Sequence, residues 1–517
     1  MALPANLKYV LILLSAALVS HIPFLMSGAF FSDEAIYAYG GYAILKGVVP
    51  YAGIALPQPP LGYLLLASET FVTQSNLQSI RIINFAIFSL GLVLVFRALA
   101  RISSKPRVAF LASLIYAVFP PLIQYSFSTT LEFTYFVTLI FAGLNFALSE
   151  TPASLFGAGV FLGLASITWY PGVFALFALV GIVAIDRFQK TKSWKEVLTG
   201  ATRIVVGSLA VVTIMFAAVV LVWNAYPQFV IQSFGLQSSL RAAFSPAEKL
   251  DVLESYWETF APVLILGVSG VVIVALKPTL PGRRRDLLLA VWFAAISLLL
   301  VLVPKVLFPH YLWFLTPVLC YFTAFTIFEL ESRLRHRSSY LLATTLIGVV
   351  LAASFFALFG IGSYPQGAFS NNVYTASEEY VGRYVANISS PNEFIWTSEP
   401  GIAFYAHRLI IPPNSSLWRV QGFFNDVFNH SFTDTSEFDH QGAGIVSPVQ
   451  FEQSWGLNVS ILVFIRGDGP VPYPDTLLWE GWSGTSGVRD WVTVHYSRVT
   501  LLTFPGDSYG YEVWKRI

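Results

Sequence analysis

Apolar residues in this chain form long unbroken runs up to about position 362, and beyond it only short stretches separated by turns. Runs long enough to cross a bilayer, which takes about 20 residues of helix, lie near 7–28, 80–98, 107–125, 131–149, 153–170, 172–186, 203–224, 260–276, 287–304, 310–329 and 340–362. The pattern predicts a polytopic all-α membrane bundle of about 11 transmembrane helices over residues 1–362. After 363, stretches such as Glu393-Phe-Ile-Trp-Thr and Ser460-Ile-Leu-Val-Phe-Ile alternate with Gly, Pro and Asn. They predict strands of a soluble, extracytoplasmic α/β domain over 363–517, opened by a helix near 375–385.

Charge orients the bundle. Basic residues cluster in alternate loops: Arg97, Arg101, Lys105 and Arg107; Arg187, Lys190, Lys192, Lys195 and Arg203; Lys277 and Arg283 to Arg285; Arg333, Arg335 and Arg337. With the N-terminus cytoplasmic, simple alternation puts all four clusters inside, as the positive-inside rule requires. The same alternation sends the loop after the first span, the loop around 225–259 and everything past 363 to the exterior of a plasma or endoplasmic-reticulum membrane. The sequons at Asn387, Asn414, Asn429 and Asn458 all fall in that exterior segment and predict N-glycosylation there. Composition agrees: 55% hydrophobic and 11% charged residues, with a mean hydropathy of +0.65, exclude an ordinary soluble enzyme. Lone Cys320 excludes a disulfide framework and a cysteine metal site. Ser27-Gly28-Ala29 looks like a cleavage site, but the long apolar run and single basic Lys8 before it predict a retained helix.

Candidate chemistry gathers just beyond the first span. Asp33 and Glu34 emerge at the exterior face, followed by Ala35–Leu45, spaced like an amphipathic helix lying on the interface, and by Lys46-Gly47 as its stop. Gln58-Pro59-Pro60-Leu61-Gly62 then stiffens the chain, because Pro59 fixes its own φ and Pro60 excludes Pro59 from the α region. Gln58, Pro59 and Pro60 are read as shaping the loop. Glu132, at the exterior end of the fourth span, reaches the same face as Asp33 and serves either as a helix cap or as a site acid.

The order of span, Asp-Glu, amphipathic stretch, Pro-Pro-Leu-Gly and span resembles the first extracytoplasmic loop of the GT-C membrane glycosyltransferases. It is most similar to the protein O-mannosyltransferases and to the lipid A aminoarabinose and RgtABCD-like transferases, which use dolichyl- or polyprenyl-phosphate sugars. The chain departs at Gln58, where relatives often have His or Lys. The resemblance implies an inverting transferase that moves one monosaccharide from a polyprenyl-phosphate donor to a hydroxyl acceptor on protein, lipid-linked glycan or envelope polymer. Such a transfer needs a base to take the acceptor proton, and Asp33 is placed for it, with Glu34 supporting the loop or binding acceptor. Glu132 resembles the relatives' second acid, and a pair of acids at one site can also hold a divalent cation. Lys305 and His310, in Lys305-Val-Leu-Phe-Pro-His-Tyr-Leu, resemble an Arg-Tyr-Leu motif expected to bind the departing phosphate. Arg81 is a further exterior cation, read either as a phosphate contact or as a headgroup anchor. Two other classes share the polytopic pattern. A flippase or other transporter of lipid-linked sugars predicts repeated halves and charges at mid-membrane, where this chain has almost none; a non-catalytic scaffold predicts that Asp33 is dispensable.

Overall fold

The computed structural model describes residues 5–25, 34–52, 58–103, 105–119, 134–230, 245–276, 284–303, 314–333, 372–397, 400–410, 459–467, 492–504 and 509–517, with residues 123, 233 and 348. The first part is helical: α1 (Ala5–Leu25), α2 (Glu34–Leu45), α3 (Pro60–Thr73), α4 (Leu77–Ser103), α5 (Pro106–Ala117), α6 (Thr134–Ala147), α7 (Pro152–Ser166), α8 (Gly172–Thr191), α9 (Trp194–Ala217), α10 (Tyr226–Val230), α11 (Pro246–Leu276), α12 (Arg284–Leu302) and α13 (Thr316–Arg333). Every predicted run contains helical residues, and that at 340–362 lies outside the described residues except for position 348. Among the described residues, α4, α8, α9 with its continuation to Val222, and α12 are each long and apolar enough to cross a membrane unaided. The chain is a membrane-embedded helical protein.

Large aliphatic and aromatic side chains of α1, α4 to α8 and α11 to α13 interlock in one core. Small residues let the helices meet closely. Gly159 on α7 and Gly207 on α9 face backbone directly: an added Cβ would stand 1.9 Å from the Ile204 carbonyl oxygen and 2.2 Å from that of Phe156. The end of α9 loosens into a π turn, Ala218–Val222, which delivers Trp223 to the ring of Tyr51, 6.4 Å away.

Two expectations fail locally. The loop predicted at 225–259 is partly helix, since α11 starts at Pro246 and runs through Pro262. Trp169, which an interfacial aromatic belt would leave facing lipid headgroups, is buried and meets Phe136 and Phe314 edge-to-face at 4.9 and 5.9 Å.

Beyond 371 the described elements are α14 (Asn372–Ile388), β1 (Phe394–Thr397), α15 (Pro400–Ala406), β2 (Val459–Gly467), β3 (Tyr496–Thr503) and β4 (Tyr509–Arg516). The strands form one sheet in the order β1-β2-β4-β3, with β1 parallel to β2 and the other pairs antiparallel. Its buried residues, Ile395, Ile461, Val463 and Val513 among them, share a second core with α2, α3 and the start of α4. The loop after the first span therefore packs into the C-terminal layer.

Candidate active site

The amphipathic reading of residues 35–45 needs correction. The segment is helical, but Ala35, Tyr37, Ala38, Tyr39, Tyr42 and Ala43 are all buried. Apolar residues surround this helix instead of forming one stripe, and such a helix is stable only when covered on several sides. One covering element is α3 and another is α15. Tyr39 accepts a 2.8 Å hydrogen bond from the Ile410 amide just past α15, and Tyr42 meets Phe404 and His407 with ring centroids 6.3 and 6.1 Å away. Burial and the cations Lys46, Arg408 and Arg383 push the His407 imidazole toward its neutral form. α15 is itself fastened to α14 by Arg408, which donates to the Ser389 and Ala386 carbonyls at 2.7 and 3.2 Å.

The first residue of α2 is Glu34. Its carboxylate is gripped by the Arg81 guanidinium from the first turns of α4: Nε donates to Oε1 at 2.9 Å and Nη2 to Oε2 at 2.5 Å, with both side chains fully buried. A planar fork matched to a carboxylate is the arrangement that tolerates desolvation best. The carboxylate also sits at the positive end of the α2 dipole. Arg81 is thus not an outward-facing cation; burial removes it from the lipid headgroups, and its fork is engaged by Glu34. Tyr405 on α15 lies in the electrostatic field of Arg81, Glu34, Glu378 and Glu379, and burial holds its phenol protonated. Glu378, on α14, is buried, and burial pushes its carboxyl up to about 8, so it is a neutral acid at pH 7.

The Pro-Pro segment has the expected stiffness. Pro59 is extended, with φ −61° and ψ 155°, and Pro60 takes the first position of α3, where its missing N–H costs nothing. Gln58 is held through its carbonyl, which accepts from the Tyr51 hydroxyl at 2.8 Å, and the Leu61 amide donates to the Ile167 carbonyl at 3.1 Å, joining α3 to the C-terminal end of α7. At about 21 Å, α3 is too short to cross a bilayer unaided. It carries Glu69, only 5% exposed, whose carboxyl accepts the Tyr135 hydroxyl at the start of α6 and is pushed by burial up to about 8.

Asp33, Glu132, Lys305 and His310 lie outside the described residues, as do Asn414, Asn429 and Asn458; Asn387 is exposed on the last turn of α14. What the structure does place is their setting: Asp33 immediately precedes Glu34, and Glu132 precedes the α6 turn that bears Tyr135. Among the described residues no group of three His, Cys, Asp or Glu gathers as a metal site. Glu69, Glu378, Tyr39 and Tyr405 were missed by sequence reasoning. Glu69 alone carried a signal, as an acid inside the otherwise uncharged Tyr63–Thr73.

In fold, this helical bundle with its C-terminal sheet layer is similar to solved membrane glycosyltransferases of the GT-C type. Its residues 57–223 match the family model of the dolichyl-phosphate-mannose-protein mannosyltransferases. ArnT from Cupriavidus metallidurans, solved bound to undecaprenyl phosphate, is similar over 98% of this chain and 97% of its own, at TM-score 0.62 and 15% identity. The Archaeoglobus fulgidus oligosaccharyltransferase, solved with zinc and sulfate, is similar over 97% of this chain and 72% of its own, at TM-score 0.53 and 14% identity. The same archaeal enzyme in complex with an inhibitory peptide and a dolichol-phosphate gives TM-score 0.52 at 14% identity, over 98% of this chain and 74% of that one. The matched family and these structures are all glycosyltransferases. No curated protein matches the sequence.

Proposed function

We propose that this protein is an inverting glycosyltransferase that passes one monosaccharide from a polyprenyl-phosphate donor to a hydroxyl acceptor at the exterior membrane face. The observation that carries the reading is the buried Glu34–Arg81 fork. It clamps the N-terminus of α2, whose first residue follows Asp33 in the chain, to the first turns of α4. Precise placement of a reacting group is worth several orders of magnitude in rate. In this reading Asp33 takes the acceptor proton as the hydroxyl attacks the anomeric carbon, and the phosphate leaves from the opposite side of the ring. Lys305 and His310 meet the charge that develops on the phosphate. Glu132 completes the acid pair, alone or through a divalent cation shared with Asp33. Two neutral acids, Glu69 and Glu378, add no negative charge next to an anionic donor at pH 7. The sheet layer past 371, part of an exterior domain spanning 363–517, covers the loop and selects the acceptor, which is protein, glycan or envelope polymer. Eleven spans with a cytoplasmic N-terminus put all of these groups on one side.

The test is direct. Purified protein is incubated with a panel of radiolabelled dolichyl- and undecaprenyl-phosphate sugars, and label leaving the lipid is measured with and without EDTA. Asp33→Asn lowers transfer by about 10² to 10⁴ while donor binding persists, because the change removes the base and not a donor contact. Turnover of that variant within a few-fold of wild type sinks the assignment of Asp33.

A further inference from the structure

A cavity opens at the end of the bundle away from the Glu34–Arg81 pair. It is walled by apolar side chains, among them Ile102, Leu144, Leu179, Leu289 and Trp292, from α4, α6, α8 and α12. Glu150, Asp186, Arg187 and Arg285 form its polar edge. The stretch of α4 from Arg81 to Ile102 is about 30 Å long, one hydrocarbon thickness, so this cavity and the Glu34–Arg81 pair belong to opposite faces of the membrane. The basic loops place the cavity at the cytoplasmic leaflet.

Three features specify an occupant. The walls are hydrocarbon-like, the surroundings an acyl chain prefers. The edge carries both signs: Lys190 bridges Glu150 at 2.6 Å and Asp186 at 2.7 Å, Arg285 reaches Glu150 at 3.8 Å, and Arg187 reaches Glu196 at 3.5 Å. Arg285 and Glu150 keep 44% and 42% of their side chains exposed, so both have room for a further partner. Between these levels sits the indole of Trp292, 4% exposed, whose buried N–H has no hydrogen-bond partner among the described residues. A buried donor left empty costs free energy that a ligand acceptor recovers. Arg285 and Trp292 are seven residues apart on α12 and so face the same way, about 10 Å apart along the axis.

From this we infer that the cavity is a binding site for a zwitterionic phospholipid of the cytoplasmic leaflet. Its phosphate sits against Arg187 and Arg285, its ammonium against Glu150, an oxygen of the glycerol linkage accepts from Trp292, and one tail fills the apolar chamber. Balanced charge at the edge distinguishes this site from a generic anionic-lipid patch.

The experiment uses the full-length protein, delipidated in detergent and then given phosphatidylethanolamine, phosphatidylglycerol, undecaprenyl phosphate or inorganic phosphate, with retained lipid read by native mass spectrometry. One phosphatidylethanolamine per chain is expected, held over phosphatidylglycerol. Ala147→Phe, which fills the chamber, and Trp292→Phe, which removes the donor, each lower its retention roughly tenfold, the equivalent of about 1.4 kcal/mol. Glu150→Gln abolishes the preference between the two headgroups and serves if the filled variant does not fold. Phosphatidylethanolamine with a photoreactive tail labels α8 and α12 at the cavity. Equal retention in wild type and variants, labelling confined to outward residues such as Leu298, or displacement by inorganic or undecaprenyl phosphate overturns the inference.

Discussion

Replacing Arg81 by Met removes one half of an ion pair and leaves the other, Glu34, at 0% exposure with its charge uncompensated. Taking away one partner of a buried pair costs on the order of 3 to 5 kcal/mol, against about 1 kcal/mol or less for an exposed one. The folded-to-unfolded ratio therefore drops by roughly two to three and a half orders of magnitude. Arg81→Lys keeps the charge but not the two-pronged geometry and falls between wild type and Arg81→Met. The double variant Glu34→Leu, Arg81→Met restores much of the loss, because two apolar side chains of similar bulk need no desolvation. Denaturant titration of wild type, Arg81→Met, Glu34→Leu and the double variant in one detergent, followed by tryptophan fluorescence, gives the coupling energy as a double-mutant cycle. If Arg81→Met unfolds within about 1 kcal/mol of wild type, the pair behaves as a solvated one, and the claim that it anchors Asp33 goes with it. Turnover separates stability from placement: the double variant folds, yet transfers sugar more slowly than wild type, since the support of Asp33 is no longer polar and directional.

Three further outcomes follow from the geometry. Glu69 holds its proton up to about 8 in the folded protein but releases it near 4.5 when unfolded, so its contribution to stability is complete below about 4.5 and is lost as pH climbs to about 8; melting temperatures from pH 4 to 9 decline less in Glu69→Gln, and a slope unchanged by the substitution refutes the assignment. Gly159→Val drives its Cβ into the Ile204 carbonyl and costs about 1 to 3 kcal/mol or more, whereas Gly181→Ala, with nothing within 4 Å, is neutral in the same melt. A membrane-impermeant maleimide labels Asn387→Cys on intact cells and Arg284→Cys only after permeabilisation, buried Cys320 staying silent; labelling of both from outside ends the proposed topology.

Periodicity and charge were enough to locate the helices of the bundle, because a run of apolar residues flanked by Lys and Arg has few other stable outcomes. The close approach of α7 and α9 was also written locally, in Gly159-Val-Phe-Leu-Gly163. The setting of the site was not. Glu34 and Arg81 are 47 residues apart and Tyr39 and Ile410 are 371 apart, and no local pattern tells a side chain which distant group will cover it. The same blindness turned α2 into an interfacial helix: its tyrosines advertise apolar surface, but only the presence of α15 decides whether lipid or protein meets it. Arg81 looked like a surface cation for the same reason.

The bond from Ile410 to Tyr39 has a consequence for how the molecule is made. At synthesis rates of about 5 to 20 residues per second, the 371 residues between these partners take roughly 20 to 70 s to emerge. Throughout that interval the α2 tyrosines that face α15 stay uncovered, and a chain stopped by premature termination anywhere before residue 400 never receives α15. A ribosome that fails late thus leaves behind a helical bundle whose α2 has not met the element that covers its tyrosines.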